Sequence, residues 1–144
     1  MSMADNLWEQ YRCTKFWVND PSRRFYIVVG EHSPELDRLL NSHRAKEWAY
    51  ITAHNPGSRR MSAKDNDLRN QRLLTRIERQ GYSYLKGEGV GVDSDWPPEE
   101  SYLIIGLSRS DAIRLGSEFG QNAIVAGLKS DAAELVACNN IRTG

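Results

Sequence analysis

Two helix-start signatures constrain this chain more than anything else in it. Ser62-Ala-Lys-Asp65 and Ser108-Arg-Ser-Asp111 each follow a capping-box pattern, with a serine hydroxyl placed to accept from the third residue beyond it. The first helix should run to about Gln80, with Gly81 at its C-terminal cap, and the second should end near Phe119-Gly120. Around them lie runs rich in β-branched and aromatic residues: 48–54 (WAYITAH), 82–90 (YSYLKGEGV, breaking up in its glycines), 101–107 (SYLIIGL) and 122–128 (NAIVAGL). A last short strand is expected over 134–138. From Trp48 onward the order is therefore β-α-β-β-α-β, the pattern of the split βαβ, or ferredoxin-like, sandwich, in which two helices cover one face of an antiparallel sheet.

The segments ahead of Trp48 extend that unit. Residues 11–18 (YRCTKFWV) and 24–30 (RFYIVVG) flank the turn Asn19-Asp20-Pro21-Ser22 and read as an antiparallel hairpin. Ser33-Pro34-Glu35 supplies a cap, a proline at the first helical position and a first-turn acid, so a short helix is expected over 34–43. With 144 residues the chain fits one α+β domain. Its expected parts are an N-terminal extension (1–47), a ferredoxin-like core (48–138) and a tail (139–144).

Lys plus Arg and Asp plus Glu balance at 19 each, so no net field steers the chain onto nucleic acid or an anionic membrane. No basic-then-apolar leader opens the sequence, and no apolar run is long enough to span a bilayer. The expectation is a cytoplasmic protein with Cys13 and Cys138 as buried, reduced thiols. A disulfide joining the two ends is the alternative.

Polar residues in unusual places mark the candidate site. Asn66, Asn70, Leu73 and Ile77 fall within roughly 60° of one another on the first capped helix, so two amides continue a line that is otherwise apolar. Buried amides need partners. Either they hold loop backbone such as the turn at 55–58, or they line a polar pocket at the helix N-terminus with Asn55, Ser58 and His54. Over 59–79 there are seven basic residues against three acids, but Arg69, Arg72, Arg76 and Arg79 map away from the amide stripe and read as a solvated face.

A second such segment, 86–100 (KGEGVGVDSDWPPEE), holds Glu88, Asp93, Asp95, Glu99 and Glu100 against Lys86 alone. It is either an acidic hairpin loop with Trp96 on the sheet edge, or the wall of a site. In the second case Trp96 is a stacking surface and Glu99 or Glu100 a polar contact. Its carboxylate spacing does not suit a calcium loop, and no helix follows the glycines to bind phosphate. Gln121 and Asn122, in the turn before 123–128, either cap that turn or contact the site. His32, His43 and His54 lack metal-ligand spacing, and no nucleophile, dinucleotide or zinc motif is present, so neither metal nor cofactor is expected.

Taken together, Tyr11-Arg-Cys-Thr, Thr52-Ala-His-Asn-Pro with Ser58, Asn66 with Arg69-Asn70, Glu88-Gly89, Trp96-Pro-Pro-Glu-Glu-Ser and Phe119-Gly-Gln-Asn-Ala-Ile resemble the DUF3293 family of uncharacterised bacterial proteins. The resemblance spans nearly the whole chain and implies no activity. Family patterns often carry Trp where this chain has His54, which argues against that histidine as an essential base. A layout-level likeness to phage enzymes that degrade S-adenosylmethionine rests on Glu99-Glu100 and on 119–121. It implies ferredoxin-like subunits that associate with ligand held between them.

Two functions from different classes remain open. The first is binding of a small polar, nucleoside-like metabolite, an S-adenosyl compound included, by Asn55, Ser58, Asn66, Asn70, Trp96 and Gln121. Glu99 and Glu100 would be the catalytic residues if the chain is a lyase. The second is a protein-interaction module or homo-oligomer, in which the basic segment 59–79 pairs with the acidic segment 86–100.

Overall fold

Local chemistry sets the helix starts as the sequence implies. The computed structural model of the chain describes residues 3–92 and 96–138. In chain order it contains α1 (Met3–Arg12), β1 (Lys15–Val18), β2 (Phe25–Ile27), α2 (Pro34–Ser42), β3 (Glu47–Ile51), α3 (Ala63–Arg79), β4 (Ser83–Val90), β5 (Glu99–Ile105), α4 (Arg109–Glu118), β6 (Ala123–Leu128) and β7 (Glu134–Ala137). The hydroxyls of Ser33, Ser62 and Ser108 accept from the amides of Leu36, Asp65 and Asp111 and so cap α2, α3 and α4.

The described residues thus form a mixed α/β fold with four α-helices and a seven-stranded sheet, ordered β2-β1-β4-β5-β3-β6-β7, in which every neighbouring pair is antiparallel. The sheet curls until its two edges meet. Val29, just after β2, bridges Ala133, just before β7, with the Gly30 amide donating to the Ala133 carbonyl at 2.8 Å.

Curling explains why β3, β5 and β6 read as near-continuous apolar runs: both faces are covered. On the outer face Ala49, Ile51, Tyr102, Ile104 and Ile124 pack against Leu73 and Ile77 of α3 and Ala112 and Leu115 of α4. On the inner face Trp48, Tyr50, Leu103, Ile105 and Val125 meet Phe16 and Val18 of β1, Phe25 and Ile27 of β2, and Leu36 and Leu40 of α2. Each fully buried side chain of this size contributes about 1.5–3 kcal/mol. Gly116 lets α4 approach closely, because a Cβ there would come within 2.7 Å of Cys138 Sγ and Ile124 Cγ2.

Some sequence expectations are corrected. Residues 11–12 are helical, not strand: Leu7, Trp8 and Tyr11 recur at helical spacing, a pattern that outweighs their aromatic content. β4 runs unbroken through its glycines, because each faces a bulky residue of β1 in register, Val18 opposite Gly87 and Phe16 opposite Gly89. β5 begins two residues earlier than expected, which puts Glu99 and Glu100 on a strand. Both cysteines are free, and Cys138 is buried, but Cys13 is exposed just beyond α1.

Candidate functional site

The loop leaving β3 is held in an unusual shape. Asn55 (φ 47°, ψ 60°), Gly57 (φ 65°) and Ser58 (φ 61°) all lie in the left-handed region, which costs energy at the serine in particular. The polar residues singled out above supply the restraints. Asn66 Oδ1 accepts from the Asn55 amide at 2.8 Å, and Asn66 Nδ2 donates to Asn55 Oδ1 at 3.0 Å. Asn70 Oδ1 accepts from the Ala53 amide at 2.8 Å while its Nδ2 donates to the Glu100 carbonyl at 2.8 Å. Arg69 is not part of a solvated face: its guanidinium donates to the carbonyls of Ala53 and Phe119 at 2.9 and 2.6 Å. Gln121 Nε2 donates to the His54 carbonyl at 3.0 Å, and Asn122 Nδ2 to Ser58 Oγ at 2.9 Å. Arg72 and Arg79 are exposed, as the solvated-face reading has it, whereas Arg76 pairs with Glu118.

Inside this frame, at the end of the curled sheet, lies a cavity of about 270 Å³. Its wall joins the C-terminal ends of β3 and β4 to the starts of β5 and β6, and α1 closes it through Gln10 and Tyr11. Tyr11, Phe16, Tyr50 and Trp96 give it aromatic surface, and Thr52, His54, Asn55, Ser58, Glu99 and Gln121 give it polar groups. Gly89 and Gly91 leave part of its wall bare.

Glu99 is fixed within it. Its Oε2 accepts from Asn55 Nδ2 at 2.6 Å and from Trp96 Nε1 at 3.1 Å. Burial pushes the Tyr11 phenol up to about 12; the Ser58 hydroxyl bonded to it opposes this, and the Glu99 charge adds to it. Burial of the His54 ring lowers its affinity for a proton, against the pull of Glu99, Glu100 and Asp67. His54 Nε2 is buried and has no hydrogen-bond partner. Tyr50 is also pushed up by burial, and its hydroxyl donates to the Trp17 carbonyl at 2.6 Å.

Of the residues expected from sequence, the cavity gathers Asn55, Ser58, Trp96, Glu99 and Gln121. Asn66, Asn70 and Glu100 are not in its wall. Both amides are already partnered, Asn66 by the main and side chains of Asn55 and Asn70 by backbone, and the strand pleat turns Glu100 away from Glu99, to within 3.3 Å of Asn70 Nδ2. Asp93 and Asp95 lie outside the described residues. Sequence reasoning missed Tyr11, Phe16, Tyr50 and Thr52 as wall residues. The two-residue period of strand side chains, from Trp48 through Tyr50 to Thr52 just past β3, is the signal that finds two of them. Among the described residues no three His, Cys, Asp or Glu side chains gather to hold a metal ion, and no helix is long and apolar enough to cross a membrane.

Comparison with known proteins adds one result. No curated protein and no solved structure matches the chain. The family model described as "Protein of unknown function (DUF3293)" matches residues 51–124, a span that includes His54, Asn55, Ser58, Trp96, Glu99 and Gln121. Because that span is just over half of the 144 residues, the chain belongs to the DUF3293 family.

Proposed function

We propose that the cavity binds a small polar metabolite built on a flat ring, nucleoside-like in size. The observation that carries this reading is the pairing, around one cavity, of the aromatic side chains of Tyr11, Phe16, Tyr50 and Trp96 with the carboxylate of Glu99, whose Oε2 is held by Asn55 and Trp96. The volume, about 270 Å³, is just under the lower end (about 300 Å³) of the usual range for ligand sites, which favours a nucleoside over a dinucleotide. Trp96 and Tyr11 are placed to cover a ring, and in an enzymic version Glu99 holds or polarises the ligand. Glu100 has no comparable access.

The same reading takes the four central strands, ordered β4-β5-β3-β6 with α3 and α4 packed on one face, as a ferredoxin-like unit extended by residues 1–47 in one domain. Thermal shift with nucleosides and S-adenosyl compounds tests the binding proposal. A ligand at 100-fold excess over Kd stabilises by about 2.7 kcal/mol, and Trp96→Ala should weaken that response. No shift with any compound, on a chain shown to be folded, overturns it.

A second reading, a protein-interaction surface, draws support from the outer side of α3, where Leu68 is 45% exposed beside Arg72. An oligomer that dissociates with added salt and is lost in Leu68→Glu would favour it.

A further inference from the structure

The cavity wall carries a single kind of charge. Among the described residues that line it, Glu99 is the one acidic side chain and none is lysine or arginine. The guanidinium of Arg60 stands over the Trp96 ring, 5.8 Å from its centroid, rather than in the wall. Both groups that donate to Glu99 Oε2, the Asn55 amide and the Trp96 indole, are neutral, and no described residue donates to Oε1. Among the described residues the carboxylate therefore has directed hydrogen bonds but no ion-pair partner. Its influence extends across the cavity, since it favours the protonated forms of both His54 and Tyr11.

Four aromatic rings, Tyr11, Phe16, Tyr50 and Trp96, border the same space. Ring faces attract cations and repel anions. A phosphate or carboxylate entering here would lose its hydration and meet like charge, with no basic side chain among the described wall residues to compensate. A cation would meet the Glu99 carboxylate and these aromatic side chains together.

We propose that the cavity selects a small organic cation, a protonated amine or comparable onium group carried on a flat ring, and rejects phosphorylated ligands and carboxylates that carry no cationic group. This rests on the cavity being a ligand site, as argued above. The cationic group sits at Glu99 Oε1.

Two matched series test it by calorimetric titration of the full chain. One is adenosine, its primary-amine analogue with aminomethyl in place of hydroxymethyl, and adenosine monophosphate. The other is benzyl alcohol, benzylamine and benzoate. The amine of at least one series should bind about tenfold tighter than its neutral partner, and neither anion should bind measurably. Glu99→Gln can keep both donors on its carbonyl oxygen while presenting an NH₂ where Oε1 was, so the amine's advantage over its neutral partner should vanish. If neutral or anionic members bind as tightly as the amines, or if the preference survives in Glu99→Gln, charge selection is wrong while the binding site stands. If no member of either series binds, both proposals fall. Should Glu99→Gln not fold, the wild-type ranking decides alone.

Discussion

The side-chain amide of Asn55 donates to Glu99 Oε2 at 2.6 Å, joining the loop after β3 to the first residue of β5. Its carbonyl oxygen also accepts from the Met61 amide at 2.8 Å and from Asn66 Nδ2 at 3.0 Å. One buried side chain thus secures the loop and aims the carboxylate. Asn55→Ala removes all three bonds and places alanine at φ 47°, so a loss of about 2–4 kcal/mol is expected. Urea denaturation checks this, and an unchanged midpoint would refute it.

Asn70 is 1% exposed and bonds backbone at two points, the Ala53 amide and the Glu100 carbonyl. Asn70→Leu keeps the volume but strands both groups in the interior, at a cost of about 2–3 kcal/mol. Arg72→Ala, on the exposed side of the same helix, should stay within about 0.5 kcal/mol of wild type. Equal stabilities for the two variants would contradict the partition of α3 into a clamping face and a solvated face.

Gly87 and Gly89 are alike in sequence context but not in space. A Cβ on Gly87 would fall 1.8 Å from the Trp17 carbonyl oxygen and 2.9 Å from the Tyr50 hydroxyl, so Gly87→Ala must move backbone. On Gly89 the nearest atoms are Phe16 ring carbons at 3.6 and 3.7 Å, an ordinary contact. Gly87→Ala should therefore cost about 3 kcal/mol or prevent folding, and Gly89→Ala about 1 kcal/mol or less. Thermal melts of the two variants side by side decide it.

Alkaline pH should destabilise the fold over a definite window. Burial raises the Tyr11 and Tyr102 phenols from 10.0 to about 12, so between those values the unfolded chain sheds protons that the folded chain keeps. The stability these phenols contribute is complete below pH 10 and is lost as pH rises toward 12. Denaturation midpoints measured from pH 8 to about 12 should fall in that window, and Tyr11→Phe should flatten part of the fall. A profile identical to wild type in Tyr11→Phe would count against a buried phenol at that position.

Much of the fold was legible because its signals are local. A serine hydroxyl capping an amide three residues on needs only its own segment, and Ser33, Ser62 and Ser108 all do this. The helix at 3–12 was not legible, since its aromatic content pointed to strand while its spacing pointed to helix. The amides of α3 were visible as out of place, but their partners, Ala53, Asn55 and Glu100, lie 11 to 30 residues away in sequence.

What the sequence alone determined, then, is where α2, α3 and α4 begin, the β-α-β-β-α-β order from Trp48, and the demand that Asn66 and Asn70 find partners. Tertiary structure decided the site. Glu99 and Glu100 are chemically equal neighbours, and only the pleat and register of β5 turn the first into the cavity and the second away. Curling of the sheet and the docking of α1 then bring Tyr11 and Phe16 over a space bordered by His54 and Glu99. A strand's alternation is written locally, but which side becomes the inside depends on what the rest of the chain packs against it.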